Sequence, residues 1–448
     1  MRKTLRFLSL LCAALAVHAL AASGQATDAT QLQRQKRFND LKFGMFIHWG
    51  PYSAASVEAS WPIMTPGTWG ITEADYRALP ARFNPVQFDP AAWVRLAREA
   101  GQQYIVFTTK HHDGFCMFDS QYTEYKITRT PYGRDVAAML ADAARAQKMP
   151  LGFYYSPPDM SHPGYRDTSK LAAANWRGEP ERPEWPLYLD YMELQLRELL
   201  TRYGDVFAIW FDGLDNQQKY AGRRFHELIR SLQPMALVNN RIGLTGDFVT
   251  PEQRMPRGIP VKGATVGYVD PGDKGVSQAA PRPQDFQPWE TCMTINNTWA
   301  YNRNDRTFKS STELIRTLVE TASKGGNFLL NVGPTPEGLI QPEFEQRLRD
   351  IGAWLKVNGE SIYGTTYGPI QDLGFGRMTA RGNVLYLHLF DAPGASVEVK
   401  PLAGRVARVN TLDGGNPVPF TQKGSVLQIQ TGGVSLNSHA TVLRIAMR

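Results

Sequence analysis

From Phe43 to Val357 the chain repeats one pattern: a short, almost unbroken apolar run, then a longer segment with apolar residues at helical spacing. The runs are FGMFIHW (Phe43–Trp49), YIVFTT (Tyr104–Thr109), LGFYYS (Leu151–Ser156), VFAIWF (Val206–Phe211), ALVNN (Ala236–Asn240), WETCMTI (Trp289–Ile295) and FLLNV (Phe328–Val332). Between and after them the periodicity predicts helices over 90–100, 135–147, 187–203, 225–232, 312–323 and 344–357; in the third, Met192, Leu196, Leu199 and Tyr203 share one face. Strands that are apolar throughout, each followed by a helix, predict a parallel sheet buried on both sides. The length of this rhythm favours a closed (β/α)8-type barrel, and no GxGxxG opens a helix after the first strand, which argues against a dinucleotide-binding sheet.

From about Gly364 the pattern changes to alternation. VLYLHLF, SVEVKPL, ARVNTL, SVLQIQT and ATVLRIAM are separated by Gly, Pro and Asn turns with no helical period between them. This predicts a barrel over 27–363 and a small antiparallel β-sandwich over 364–448, whose default role is packing.

Residues 1–26 follow a different logic. Arg2, Lys3 and Arg6 precede the apolar stretch Phe7–Leu20, and small residues follow from Ala21 to Ala26. That order predicts a secretory signal, and hence an exported mature protein, with the periplasm as first expectation and the extracellular medium as second. No other run approaches a membrane span. The formal charge is +7 over 448 residues, three of the cations lie in the signal, and the rest are dispersed. A nucleic-acid partner needs clustered cations, so none is expected. Of three cysteines, Cys12 lies in the signal; Cys116 and Cys292 show no metal-ligand spacing and read as two buried thiols rather than a disulfide.

In a barrel of this kind the chemistry sits at the C-terminal ends of the strands. Those ends carry His48-Trp49, Lys110-His111-His112-Asp113, Tyr154-Tyr155, Trp210-Phe211-Asp212 and Asn239-Asn240-Arg241. A metal is one candidate for three histidines, with Asp113 as a further ligand. Adjacent strand residues point to opposite faces, however, and other carboxylates are scarce nearby. Hydrogen bonding to a polyhydroxylated ligand suits His48, His111 and His112 better, with Trp49, Trp61, Trp210 and Trp299 as stacking faces for a sugar.

Asp212 ends an apolar strand, and Gly213-Leu214-Asp215-Asn216 after it is loop rather than a helix start, so a capping role does not fit. A carboxylate there can attack an anomeric carbon if a second carboxylic acid lies about 5–5.5 Å away. Glu252, in GDFVTPEQRMP, and Glu290, in QPWETCMTINNTWAYN, are both candidates.

FGMFIHWGPYS, TTKHHDGF, GFYYSPPD, IWFDG, VNNRIG, PWETCMTINNTWAYN and SKGGNFLLNVGPTPEG, in this order from about Arg37 to Tyr367, resemble glycoside hydrolase family 29, the retaining α-L-fucosidases. The resemblance implies a (β/α)8-like barrel followed by a β-sandwich, and exo-hydrolysis of terminal α-L-fucose from glycans by double displacement. It places Asp212 as nucleophile and Glu252 as acid/base, with Glu290 the rival. It puts His48, Trp61, His111, His112, Tyr155, Trp210, Arg241 and Trp299 around the sugar, Trp299 near its C5 methyl group. No metal and no organic cofactor are implied. The family often shows Glu-Trp where this chain has Ser60-Trp61, with Glu58 two residues earlier. A non-catalytic glycan-binding protein on the same scaffold and a glycosidase for another sugar are the alternatives.

Overall fold

A computed structural model describes residues 29–214, 217–265, 273–391 and 394–448; the signal expected over 1–26 lies outside the described residues. Seven parallel strands form one curled sheet: β1 Phe43–Ile47, β2 Ile105–Lys110, β3 Leu151–Tyr155, β4 Ala208–Phe211, β5 Leu237–Val238, and, beyond a hairpin formed by β6 Ile259–Thr265 and β7 Lys274–Ser277, β8 Glu290–Thr294 and β9 Asn327–Val332. Their order across the sheet is β5-β4-β3-β2-β1-β9-β8. Every residue of β1, β2, β3, β4, β8 and β9 is buried, because helices cover one face and interdigitated side chains fill the other.

The gap between β5 and β8 is closed by a stretch without regular strand pairing. On one side Asp247 N–H donates to the Val238 carbonyl at 2.7 Å. On the other, Val249 N–H reaches the Pro288 carbonyl at 3.0 Å, Glu290 N–H the Val249 carbonyl at 2.9 Å, and Gln253 N–H the Cys292 carbonyl at 2.9 Å. Residues 247–253 are therefore the sixth stave of a closed eight-stave barrel, broken by Pro251, which has no N–H to give. The turn into this stave requires a glycine: Gly246 has φ +64, and a Cβ there would sit 2.4 Å from the Val238 carbonyl oxygen. Leaving it, Gln253 adopts φ 54, with its side-chain amide bonded to Thr294. No helix follows β5 before this stave, which is why the barrel rhythm fades there in the sequence.

A helix over residues 29–41 closes the N-terminal end of the barrel. Its Arg34 is buried against Asp247 at 3.1 Å, and Phe38 stacks on Phe248 with centroids 4.4 Å apart. The helix so anchors the entry to the irregular stave.

After the barrel, two antiparallel sheets pack around Met378, Leu387, Val397, Leu427, Leu443 and Ile445. They rest on the barrel through Arg377 to Glu320 and through the Trp354 indole, which donates to the Ala440 carbonyl at 3.0 Å. Thr366–Tyr367, Gly376–Arg381 and Phe420–Lys423 add strands that the alternation did not predict. Cys116 and Cys292 are both buried and unpaired. Among the described residues no helix is long and apolar enough to cross a membrane.

Candidate active site

At the C-terminal mouth of the barrel lies a cavity of about 500 Å³. Phe46 and His48 reach it from β1 and its end, His111 and His112 from just beyond β2, Tyr154 from β3, Trp210 and Asp212 from β4, Arg241 from the turn after β5, and Glu252 from the end of the sixth stave. Trp299, Cys292, Trp61, Trp176, Arg177 and Leu214 complete the wall.

Arg241 joins the two acids. One guanidinium nitrogen, Nη1, lies 2.8 Å from Asp212 Oδ1 and 2.9 Å from Glu252 Oε2. Those two oxygens can therefore be no more than about 5.7 Å apart, an upper bound that admits the spacing of about 5–5.5 Å of paired carboxyls in retaining glycosidases and is too short for the wider pairs of inverting ones. Arg241 is itself fixed by Thr250, whose hydroxyl and carbonyl accept at 2.8 and 3.0 Å, and its guanidinium lies 4.7 Å above the Trp210 ring.

The environments of the two carboxyls differ. Burial pushes the pKa of Asp212 up, but the Arg241 guanidinium and the Tyr154 hydroxyl, donating to Oδ2 at 2.7 Å, together bring it below the ordinary 3.8. For Glu252, burial and then the charge of Asp212 outweigh Arg241 and the Trp299 side chain, so its pKa rises above 4.5. One acid is kept ionised and its neighbour is biased toward the protonated form, the division of labour that acid catalysis beside a nucleophile requires. The Glu252 side chain is 23% exposed against 13% for Asp212, so the protonatable partner faces the opening.

Glu290 lies elsewhere. It is the first residue of β8, at the opposite end of its strand from the mouth, and is buried beneath Trp210. Its carboxylate accepts from the Trp210 indole at 2.9 Å and from the Tyr104 hydroxyl, and burial raises its pKa to about 7. It supports the floor of the site rather than lining it.

Two expected lining residues are misplaced by one position. Tyr155 faces the helix layer, donating to Gln195 Oε1 at 2.8 Å, and Tyr154 is in the pocket. The parallel register pairs Tyr154 with Trp210 and Tyr155 with Phe211, and paired residues share a face, so Trp210 pointing inward places Tyr154 inward. For the same reason His48 points inward and Trp49 outward, packed on Phe83, Phe88 and Trp93. Alternation along each strand is readable in the sequence, but which of the two tyrosines faces the mouth is set by the register of β3 against β4. Tyr154→Phe is expected to lower kcat by about ten- to a hundredfold, the worth of a hydrogen bond to a charged group. The pKa of Asp212 should rise, because Tyr154 is one of the groups that lower it. Tyr155→Phe should leave both kcat and KM for an aryl glycoside near wild type.

The other expected residues, His48, Trp61, His111, His112, Trp210, Arg241 and Trp299, all line the cavity. Trp299 is pinned by Glu58, whose two carboxylate oxygens each lie 2.9 Å from the Trp299 N–H, and by Asn331, which donates to its carbonyl at 2.7 Å. Phe46 meets Trp299 edge-on at 6.0 Å, forming an apolar corner. Trp176 and Arg177, in the long β3–β4 connection, had no periodicity to single them out.

His111, His112 and Asp212 offer ligand atoms within 4.8 Å of one another. Asp212, however, already carries the Arg241 cation, and a metal ion added there would meet its charge at close range. Asp113, the ligand considered from sequence, turns away and accepts from the Tyr76 hydroxyl at 2.8 Å. The donor set fits hydroxyl groups.

A closed barrel whose mouth holds an ionised and a protonatable carboxyl, imidazoles and tryptophans defines a glycoside hydrolase. Comparison with known proteins narrows this. The profile of the family described as Alpha-L-fucosidase matches residues 12–360. The plasma alpha-L-fucosidase of Rattus norvegicus is 30% identical over 81% of this chain and 78% of its own. Among solved structures, alpha-L-fucosidase isoenzyme 1 from Paenibacillus thiaminolyticus superposes with a TM-score of 0.82 at 36% identity, covering 94% of this chain and all of that one. A GH29 alpha-L-fucosidase from Bacteroides thetaiotaomicron, trapped as a covalent intermediate with 2-fluoro-fucosyl fluoride, superposes at 0.76 with 26% identity over 92% of this chain and 95% of that one. The chain belongs to the alpha-L-fucosidase family of glycoside hydrolases.

Proposed function

We propose that the protein removes terminal α-L-fucose from glycans with retention, Asp212 acting as nucleophile and Glu252 as acid/base. The observation that carries this is the single Arg241 nitrogen bonded to both acids, which sets their spacing while their pKa values move apart. In the first step an Asp212 oxygen bonds to C1 as the C1–O bond to the aglycone breaks, and Glu252 gives its proton to the departing oxygen. In the second, Glu252 takes a proton from water, whose oxygen bonds to C1 as the C1–Asp212 ester bond breaks; Glu252 ends protonated and Asp212 ionised. The trapped intermediate of the Bacteroides relative supports double displacement. The corner between Phe46 and Trp299 suits the C5 methyl group of fucose, and the cavity, larger than one hexose, leaves its outer wall of Trp61, Trp176 and Leu214 to the rest of the glycan. Both acids are present and bonded to one Arg241 nitrogen, which favours an enzyme over a glycan-binding protein. Hydrolysis of aryl α-L-fucoside set against aryl β-D-galactoside tests the sugar; equal rates on the two would overturn the assignment to fucose.

The pH profile of kcat/KM follows from the same groups. Above the raised pKa of Glu252 the acid is lost and the rate falls. As pH drops through about 4, His48 and His112, lowered to that value chiefly by burial, become cations, and the rate falls again. A bell-shaped profile is expected, measured with an aryl fucoside, and Glu252→Gln should lack the alkaline limb.

Export is part of the proposal, supported by the basic-then-apolar order of residues 2–20. Fractionation of cells producing the full chain should place activity outside the cytoplasm, with residues 1–26 or so absent from the mature N-terminus.

A further inference from the structure

Two of the pocket imidazoles are held by partners that leave only one choice of proton position. His112 Nδ1 lies 2.6 Å from Ser156 Oγ, and Ser156 Oγ lies 2.7 Å from the Pro158 carbonyl oxygen. A carbonyl can only accept, so the single hydroxyl proton of Ser156 is committed to Pro158. Its oxygen must then accept, and the proton between it and His112 belongs to Nδ1. His48 is governed in the same way. Asn331 Nδ2 donates to the Trp299 carbonyl at 2.7 Å, which turns Asn331 Oδ1 toward His48 Nδ1, also at 2.7 Å. An amide oxygen can only accept, so the proton again sits on Nδ1.

We propose that Ser156 and Asn331 are positioning residues that hold His112 and His48 as Nδ1–H imidazoles. The Nε2 lone pairs then remain for the ligand, and two of the sugar's hydroxyls are bound as hydrogen-bond donors. The inference about hydroxyls rests on the glycosidase reading above; the proton positions do not.

The competing arrangement for His112 places the proton on Nε2, directed at Asp212 Oδ2. That contact is 3.5 Å, at the limit for a hydrogen bond, and it would strip the Pro158 carbonyl of its 2.7 Å donor. With the proton on Nδ1, two acceptors face each other at 3.5 Å, a spacing that a bound hydroxyl relieves by donating to Nε2. Burial keeps both rings neutral above about pH 4, so neither can switch to donating at Nε2 by simple protonation in the working range. His111 is not fixed in this way: the Ser60 hydroxyl at its Nδ1 can give or take the proton. The three histidines thus divide into two obligate acceptors and one adaptable group.

The test is a nitrogen NMR spectrum of the full-length protein labelled with ¹⁵N-histidine, at a pH one unit above the acid limb, assigned with His48→Gln and His112→Gln variants. Both rings should show a protonated Nδ1 and a bare Nε2. Ser156→Ala should move the His112 signal toward the Nε2–H form, leave His48 unchanged, and cost about tenfold in kcat/KM. Ser156→Thr, which keeps the hydroxyl, should restore both. Asn331→Ala should change His48 alone. A wild-type spectrum with Nε2–H at either ring, or Ser156→Ala losing activity with the His112 signal unmoved, overturns the proposal. Because the spectrum needs no turnover, it stands apart from the fucosidase assignment, which fails only if the wild type does not cleave an aryl α-L-fucoside.

Discussion

Asp212→Gly is expected to hydrolyse an aryl α-L-fucoside at least about 10⁴-fold more slowly than wild type, a loss of roughly 5.5 kcal/mol of transition-state stabilisation. The carboxylate is the only group that can form the covalent bond to C1 in the proposed double displacement. Its removal also leaves Arg241 and Tyr154 aimed at empty space. That space is what makes rescue possible: azide or formate can enter where the side chain was and attack C1 directly. Azide should yield the fucosyl azide of inverted configuration, since only one displacement occurs. Ligand binding should survive, because His48, His111 and Trp299 line the cavity without bonding to Asp212. A glycine variant that retained a tenth of wild-type turnover would remove Asp212 from the mechanism.

Glu252→Ala should lose about 10²–10⁴-fold on substrates with poor leaving groups and far less on those with activated ones, because only the former need a proton in the first step. With an activated fucoside the second step becomes limiting, so azide should raise the rate and, attacking the fucosyl-Asp212 ester in a second displacement, give α-fucosyl azide if Glu252 is the missing base. Glu290→Gln provides the contrast. That residue sits below Trp210 with its carboxylate committed to the indole and to Tyr104, and nothing in its position brings it to a leaving group. Its loss should lower the rate equally for good and poor leaving groups, through a shifted Trp210, and azide should rescue nothing. If leaving-group dependence and rescue belonged to Glu290 instead, the role given to the sixth stave would be wrong.

Much of the fold was legible in the sequence. Strands that are apolar throughout require cover on both faces, and helices of matching period supply one of them, so the barrel follows from local pattern. The ends of those strands gave Asp212, Arg241 and the three histidines, because a polar residue ending an apolar strand has nowhere to go but the barrel mouth. What the pattern lost was parity and closure. Tyr154 and Tyr155 are chemically alike, and only the register against Trp210 and Phe211 settles which one turns inward.

The nearness of Glu252 to Asp212 was not in the local pattern at all. Residues 247–253 carry a proline, lack helical flanks and read as loop, yet hydrogen bonds from both neighbours make them a stave with Glu252 at its upper end. Glu290 sits in the more strand-like segment but enters the barrel at the wrong end. The sequence by itself determined which elements form and which chemical groups meet at the mouth, since burial and periodicity are properties of each segment. Only the tertiary structure decided which of two acids stands beside Asp212, because that depends on where a stave begins relative to its neighbours, a distance no single segment encodes.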